Sequence, residues 1–282
     1  MRVQRTVKTT LSRVFSVDET ATDATGSVTV SAARLDGTVV QTGAATGPDV
    51  NHVYTWTFNG LDVVDLLVVT WTATVGGDAV VFEDLLEVVG GFYFTVAEAR
   101  STEKSKFSDV AAYPQADVLA RRSEAEDRVE AITGQAWVPR FTREVLSGSG
   151  RSQLMLRWPL LRKVRAVSVG GAAFSQPAVD AFGANRLGVL RRPTTWPEGD
   201  GNIVVEYEHG HDRPTSGIVR AAKIVFRSLM LTTRSPLPDR AERIATTELG
   251  TVVLASPTAD KVGIPEADAE LAAHPSPRPG FG

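Results

Sequence analysis

The chain contains no cysteine. Disulfides, thiolate metal sites and cysteine nucleophiles are therefore excluded, and the composition is the one expected of a chain made in a reducing cytoplasm. Histidine is scarce as well: His52, His209, His211 and His274 are the whole supply. No apolar run approaches the roughly 20 residues that a membrane-spanning helix needs. Residues 1–17 are basic at Arg2, Arg5, Lys8 and Arg13, but Thr and Ser break up the apolar pairs, so the continuous block of a signal peptide is missing. A large excess of one charge is absent too. The net of −3 gives no bulk attraction to nucleic acid or to a membrane.

What is present is ordinary globular material: 282 residues, 43% apolar and 22% charged, enough for two domains of common size. The charge is unevenly divided. Residues 1–92 carry five Lys and Arg against eleven Asp and Glu, and residues 93–282 carry 25 against 22. Two modules with different surfaces follow from that asymmetry.

Residues 1–90 read as all-β. Val28, Val30 and Ala32 alternate with Thr29 and Ser31; Tyr54, Trp56 and Phe58 alternate with Thr55 and Thr57; Val69, Trp71, Ala73 and Val75 alternate with Thr70, Thr72 and Thr74. This is the period of half-buried strands. Asp36-Gly37 between β-prone runs predicts a hairpin turn with both residues at positive φ, and Gly76-Gly77-Asp78 predicts another turn. About seven strands and no helix make a small immunoglobulin-like β-sandwich. Tyr54, Trp56 and Trp71 are read either as core or as an exposed ring stripe for sugar. Glu83, Asp84 and Glu87 are read as a solvated strand edge that discourages edge pairing.

The pair Gly90-Gly91 marks a boundary. Thr95 followed by Glu98 is a capping box opening a short helix, and Ser101–Asp109 reads as a polar connector. A helix over Gln115–Thr133 buries Val118, Ala125, Val129 and Ile132, turns Arg121, Arg122, Glu124, Asp127, Arg128 and Glu130 away, and stops at Gly134. Residues 141–209 are β-rich, with strands expected over Phe141–Leu146, Gln153–Arg157, Val164–Val169, Gly188–Arg191 and Asn202–Glu208. A second long helix, about Thr215–Thr233, has two apolar stripes, Ile218/Ala222/Val225/Leu229 and Val219/Phe226/Met230, so it is buried on most sides. A strand over Thr251–Leu254 and a short helix over Pro265–Ala273 follow. Residues 274–282, with three prolines and two glycines, read as a flexible arm.

Few residues here carry chemistry. Glu206, Glu208, His209, His211 and Asp212 have metal-ligand types, but strand alternation splits them across two faces and no third histidine is near. They read as a polar strand end with exposed imidazoles. No serine stands in a Gly-x-Ser-x-Gly elbow, and Ser147-Gly148-Ser149-Gly150 lacks the Lys and helix of a phosphate loop. No catalytic, cofactor or metal residue is assigned. The cationic clusters, Arg162, Lys163, Arg165, Arg191, Arg192, Arg240 and Arg243, are interleaved with acids and have no stacking aromatics, so they favour salt bridges to a protein neighbour over sequence-specific DNA binding.

An ordered series remains: the Thr95–Arg100 helix; Glu130-Ala131-Ile132-Thr133-Gly134 with Trp137-Val138-Pro139-Arg140; Leu154-Met155-Leu156 with Trp158-Pro159-Leu160 and Val164-Arg165-Ala166-Val167; Trp196-Pro197; Val205-Glu206-Tyr207-Glu208-His209-Gly210; Pro214 and the long helix; Thr246-Thr247-Glu248-Leu249-Gly250; Gly263-Ile264-Pro265-Glu266-Ala267-Asp268. In order and spacing, residues 93–273 resemble the head–tail adaptor (connector) proteins of long-tailed bacteriophages, particularly those of actinobacteria. The compact adaptors look like this second module alone; the first resembles the immunoglobulin-like decorations common on virion proteins. The resemblance implies a multidomain chain: a sandwich over 1–90, a helix-plus-sheet (α+β) adaptor module over 93–273 and an arm over 274–282. It implies a homo-oligomeric ring, usually of twelve copies, assembled in the host cytoplasm and placed at the head–tail junction of the virion. The portal would be one neighbour and a stopper or head-completion protein the other, with genome DNA passing through the channel without sequence-specific contacts. Arg121, Arg122, Arg128, Arg162, Arg165, Arg240, Arg243, Pro275, Pro277 and Pro279 are the expected subunit or portal contacts. The other reading of the chain is a sandwich adhesin that binds glycan through its rings.

Overall fold

The computed structural model describes residues 1–232, 243–246, 250–253 and 261–275. Two compact units are present, Met1–Gly91 with Arg140–Thr142, and Phe92–Pro139 with Arg143–Gly282.

The first unit holds β1 (Arg2–Gln4), β2 (Thr9–Val14), β3 (Ser16–Val17), β4 (Thr20–Ala21), β5 (Thr29–Arg34), β6 (Val39–Ala44), β7 (Val53–Phe58), β8 (Asp65–Val75) and β9 (Asp78–Val89). One sheet runs β1-β9-β8-β5-β6, with β1 parallel to β9, and β2 pairs with β7. Leu11, Tyr54, Trp56 and Phe58 from the β2–β7 pair share one core with Val30, Leu67, Val69, Trp71 and Leu86 from the five-stranded sheet. Two layers closing on one core is the arrangement that half-buried strands require. The strand count exceeds the expected seven because the β3–β4 hairpin is too short to show alternation. Its turn residues Asp18 and Glu19 sit at φ 48° and 65° without any glycine. The Asp36-Gly37 turn also differs. Gly37 alone has positive φ, at 86°, and Asp36 instead accepts the Thr38 N–H at 2.8 Å. The register shifts by one residue beside it, between Ala32 and Ala33, as a glycine bulge does.

The second unit begins with α1 (Val96–Ser105), a 3₁₀ turn (Lys106–Ser108) and α2 (Gln115–Thr133). Then come β10 (Arg140–Gly148), whose first three residues belong to the first unit, β11 (Gln153–Met155), β12 (Leu161–Val169), β13 (Ala172–Ala173), α3 (Gln176–Asp180), β14 (Gly183–Ala184), β15 (Val189–Arg191) and β16 (Gly199–His209). Last are α4 (Ser216–Thr232), β17 (Arg243–Thr246), β18 (Gly250–Val253) and α5 (Pro265–Ala272). The sheets run β10-β16-β12-β13 and β11-β15-β14, with β17 paired to β18. Thr95 caps α1 with the reciprocal Glu98 bond, and Gly134 ends α2 at φ 63°. The expected polar connector after Arg100 is instead helix followed by the 3₁₀ turn. Phe107 is wholly buried in the helical core, and Arg100 holds the turn by donating to the carbonyls of Phe107 (2.8 Å) and Tyr113 (3.2 Å). Both apolar stripes of α4 feed that core: Ile218, Ala222, Val225 and Phe226 are buried, as are Leu229 and Met230. A second core lies under the sheets, built on Leu156, Leu190, Trp196, Ile203, Val205 and Tyr207.

Candidate functional site

The polar side of α2 is where the helical core departs from a simple amphipathic pattern. Arg122, Glu126 and Glu130 are buried, at 4%, 0% and 6% exposure. Glu126 accepts the backbone N–H of Tyr93 at 2.9 Å, and Glu130 accepts the Tyr93 hydroxyl at 2.8 Å. That hydroxyl in turn accepts the Trp137 N–H at 3.2 Å, and the Trp137 indole donates to Thr133 at 3.0 Å. The Arg122 guanidinium lies 3.5 Å from the centre of the Phe92 ring. Buried polar groups must be satisfied, and here they tie the chain on both flanks of α2 to the helix. Arg122, expected at a subunit contact, is thereby corrected to an interior residue.

The other expected contact residues are placed as follows. Arg121 and Arg128 both pair with Glu124, at 2.7 Å each. Arg162 pairs with Asp212 at 2.7 Å, and Arg165 with Glu208 at 2.6 Å. Arg143 and Glu206 form a further pair beside them at 3.4 Å. Arg243 lies in β17, Pro275 is exposed just after α5, and Arg240, Pro277 and Pro279 lie outside the described residues. In the chain these described cations lie on α2, β12 and β17.

The histidines correct the expectation of exposed imidazoles. His209 is 2% exposed and stacks on Trp158 at 5.2 Å and 5°. His211 stacks on Trp137 at 4.4 Å and 8°, and its Nε2 lies 3.2 Å from the Gln135 amide oxygen. His274 meets the same indole edge-on at 5.2 Å and lies 3.3 Å from the Thr215 hydroxyl. One tryptophan therefore gathers the β16–α4 connection and the end of α5. Burial pushes His211 below the ordinary histidine value, helped by the positive charges of Arg186, His274 and Arg162 and opposed by Asp212. The folded chain prefers the neutral ring, so its contribution is complete above the ordinary value and is lost as pH falls from there through the folded value. Thermal scans between pH 7.5 and 5.5 are expected to show the second unit weakening toward acid, and His211→Phe is expected to flatten that slope; an equal slope in the variant would assign the effect elsewhere.

Glu144 accepts the Tyr207 hydroxyl at 2.5 Å and the Arg157 N–H at 2.9 Å, a structural use of a carboxylate. Among the described residues no group of three or more His, Asp or Glu is placed to hold a metal ion. A hollow of 670 Å³ along Leu146–Met155 is lined by serines, Gln153, Arg151 and aliphatic side chains, without an imidazole or carboxylate, so it offers no general acid or base. Tyr54, Trp56 and Trp71 are 2%, 5% and 1% exposed. Rings so deeply packed cannot stack on a sugar, and the glycan stripe is thereby removed. The expected solvated edge also changes character at Glu87, which pairs with Arg2 at 2.6 Å and with Arg140 at 3.0 Å. Glu83 and Asp84 are exposed, Asp84 pairing with Arg13.

No protein-family model and no curated protein matches this chain. Among solved structures, a chain of the "virion of native gene transfer agent (GTA) particle" is similar, at 16% identity and a TM-score of 0.43, over 67% of this chain and 93% of that one.

Proposed function

We propose that the chain is a structural virion protein without catalytic activity, the subunit of an adaptor ring between the portal and the tail-proximal completion proteins. The observation that carries this reading is what the residues of the ordered series do. Thr95 and Glu98 cap α1, and Gly134 closes α2. Trp137 is buried between two imidazoles, Trp158 stacks on His209, and Trp196 is fully buried. Each of these builds or fastens an element, as a series defining an assembly part should, and among the described residues of the series none converges on a reacting centre. Helices and sheets of this kind are rigid enough to present two different faces to two neighbours, which a head-to-tail ring requires. The paired surface cations suit register more than raw affinity.

Electron microscopy of the purified full chain, alone and mixed with portal particles, tests the reading. Rings of one copy number, free or seated on portals, are the expected result. A chain that stays monomeric and ignores portals at micromolar concentration would overturn it.

A further inference from the structure

The strand β1 is an edge strand of three residues, joined in parallel to β9 through the pairs Arg2–Glu87, Val3–Val88 and Gln4–Val89. Its hold is local and self-contained. Val3 is 2% exposed in the sandwich core, Arg2 pairs with Glu87, the Glu87 N–H donates to the Met1 carbonyl at 2.9 Å, and the Arg5 N–H donates to the Val89 carbonyl at 2.9 Å. The link to β2 is the exposed segment Arg5–Lys8. In it Thr6 stands at φ 64°, a left-handed conformation that a β-branched residue adopts only under strain. Two backbone bonds hold the turn: the Thr6 N–H donates to the Leu61 carbonyl at 2.6 Å, and the Val7 N–H to the Gln4 carbonyl at 3.3 Å.

We propose that β1 is an exchangeable strand, which in assemblies of this chain leaves its own β9 and pairs with β9 of a second copy. Exchange re-forms every contact that holds β1, with the same partners on the other copy. What opens in the chain is the turn at Thr6, with its Val7–Gln4 bond and the Thr6–Leu61 bond, the latter open to re-formation on the other copy; a short strained hinge is the feature that favours swapping. Charge points to the same occupant. Residues 1–8 carry Arg2, Arg5 and Lys8 and no acid, whereas residues 9–92 carry eleven acids against Arg13 and Arg34. A cationic strand suits the acidic sandwich of a second copy as well as it suits its own. The exchange rests on self-association, which the ring reading also requires, but it adds a named lock between neighbours.

The absence of cysteine permits a direct test. Gln4→Cys and Val89→Cys are made as separate single variants of the full chain, mixed, allowed to self-associate and oxidised. Cysteine is close to valine in size and in its tolerance of burial, and circular dichroism of each variant checks that it folds. One variant carries a size tag, so that a disulfide joining the two variants separates from homodimers formed through the exposed position 4, and a heterodimer band on a non-reducing gel is the expected result. Thr6→Gly, which accepts positive φ without strain, is expected to lower the yield of that band several-fold. In the otherwise native chain the same substitution should shift the solution mass toward monomer. No heterodimer band, from folded variants at concentrations up to 100-fold above those used for microscopy, would overturn the exchange, and so would a yield indifferent to Thr6→Gly. Rings in the microscope with no heterodimer band would leave the ring reading standing and remove the swap; a band from reciprocal dimers without rings would do the opposite.

Discussion

Val129→Asp is expected to lower the unfolding midpoint of the second unit by about 10 °C while leaving the transition of the first unit in place, as read by differential scanning calorimetry. Val129 is wholly buried in the helical core formed with Val118, Ala125 and the α4 residues. A carboxylate there loses its hydration, and unpaired buried charge is among the few mechanisms that cost about 4 kcal/mol or more. At the usual entropy of a unit of this size, each kcal/mol moves the midpoint by about 2–4 °C. Val129→Ala, which removes only methyl groups, is expected to cost about half as much. A midpoint for the Asp variant equal to the native one would mean that this face of α2 is not packed.

Removing the Glu87 charge is expected to have the second-largest effect, this time on the first unit. The carboxylate lies between the guanidiniums of Arg2 and Arg140, with 22% of its side chain exposed and Arg140 at 3%. Burial opposes its ionisation, but the attraction of Arg140 and then of Arg2 outweighs burial and holds Glu87 below the ordinary glutamate range. Breaking a buried pair from one side costs about 3–5 kcal/mol because the remaining charge stays out of water. Glu87→Gln is expected at the lower end, about 3 kcal/mol, since the site is not sealed. The pH dependence has a definite sign. A carboxylate with a lowered folded value adds stability that is present above its unfolded value and is lost as pH falls through the folded one. The native first unit is therefore expected to weaken steeply below about pH 4.5, and the Gln variant to show a shallower decline over the same window; parallel acid-unfolding curves would assign the loss to other carboxylates.

These two residues mark where a linear reading succeeds and where it stops. The stripe Val118/Ala125/Val129 was legible because helical periodicity depends on the identity of residues three and four apart and on nothing distant. Glu87 was not, since Arg140 stands 53 positions away and no local pattern announces that partner. The same division runs through α2. Its ends were legible from Gly134 and the apolar spacing, but Arg122, Glu126 and Glu130 resemble any solvated helical residues until Phe92 and Tyr93 are folded against them. A faint signal existed in Tyr93 and Trp137, aromatic residues with a polar atom that needs a partner once buried.

The sequence by itself determined the strand-then-helix order of the chain, the register of alternation in the sandwich, the capping of α1, the stop of α2 and the two buried stripes of α4. Each of these follows from side chains within a few positions of one another. The tertiary structure alone decided which charged and aromatic side chains are interior: Glu87 between two arginines, Tyr93 under α2, His211 and His274 around Trp137, and the rings of Trp56 and Trp71 facing inward. Burial of a polar or amphipathic group is favourable only when a partner arrives to replace water, and here those partners come from distant parts of the chain.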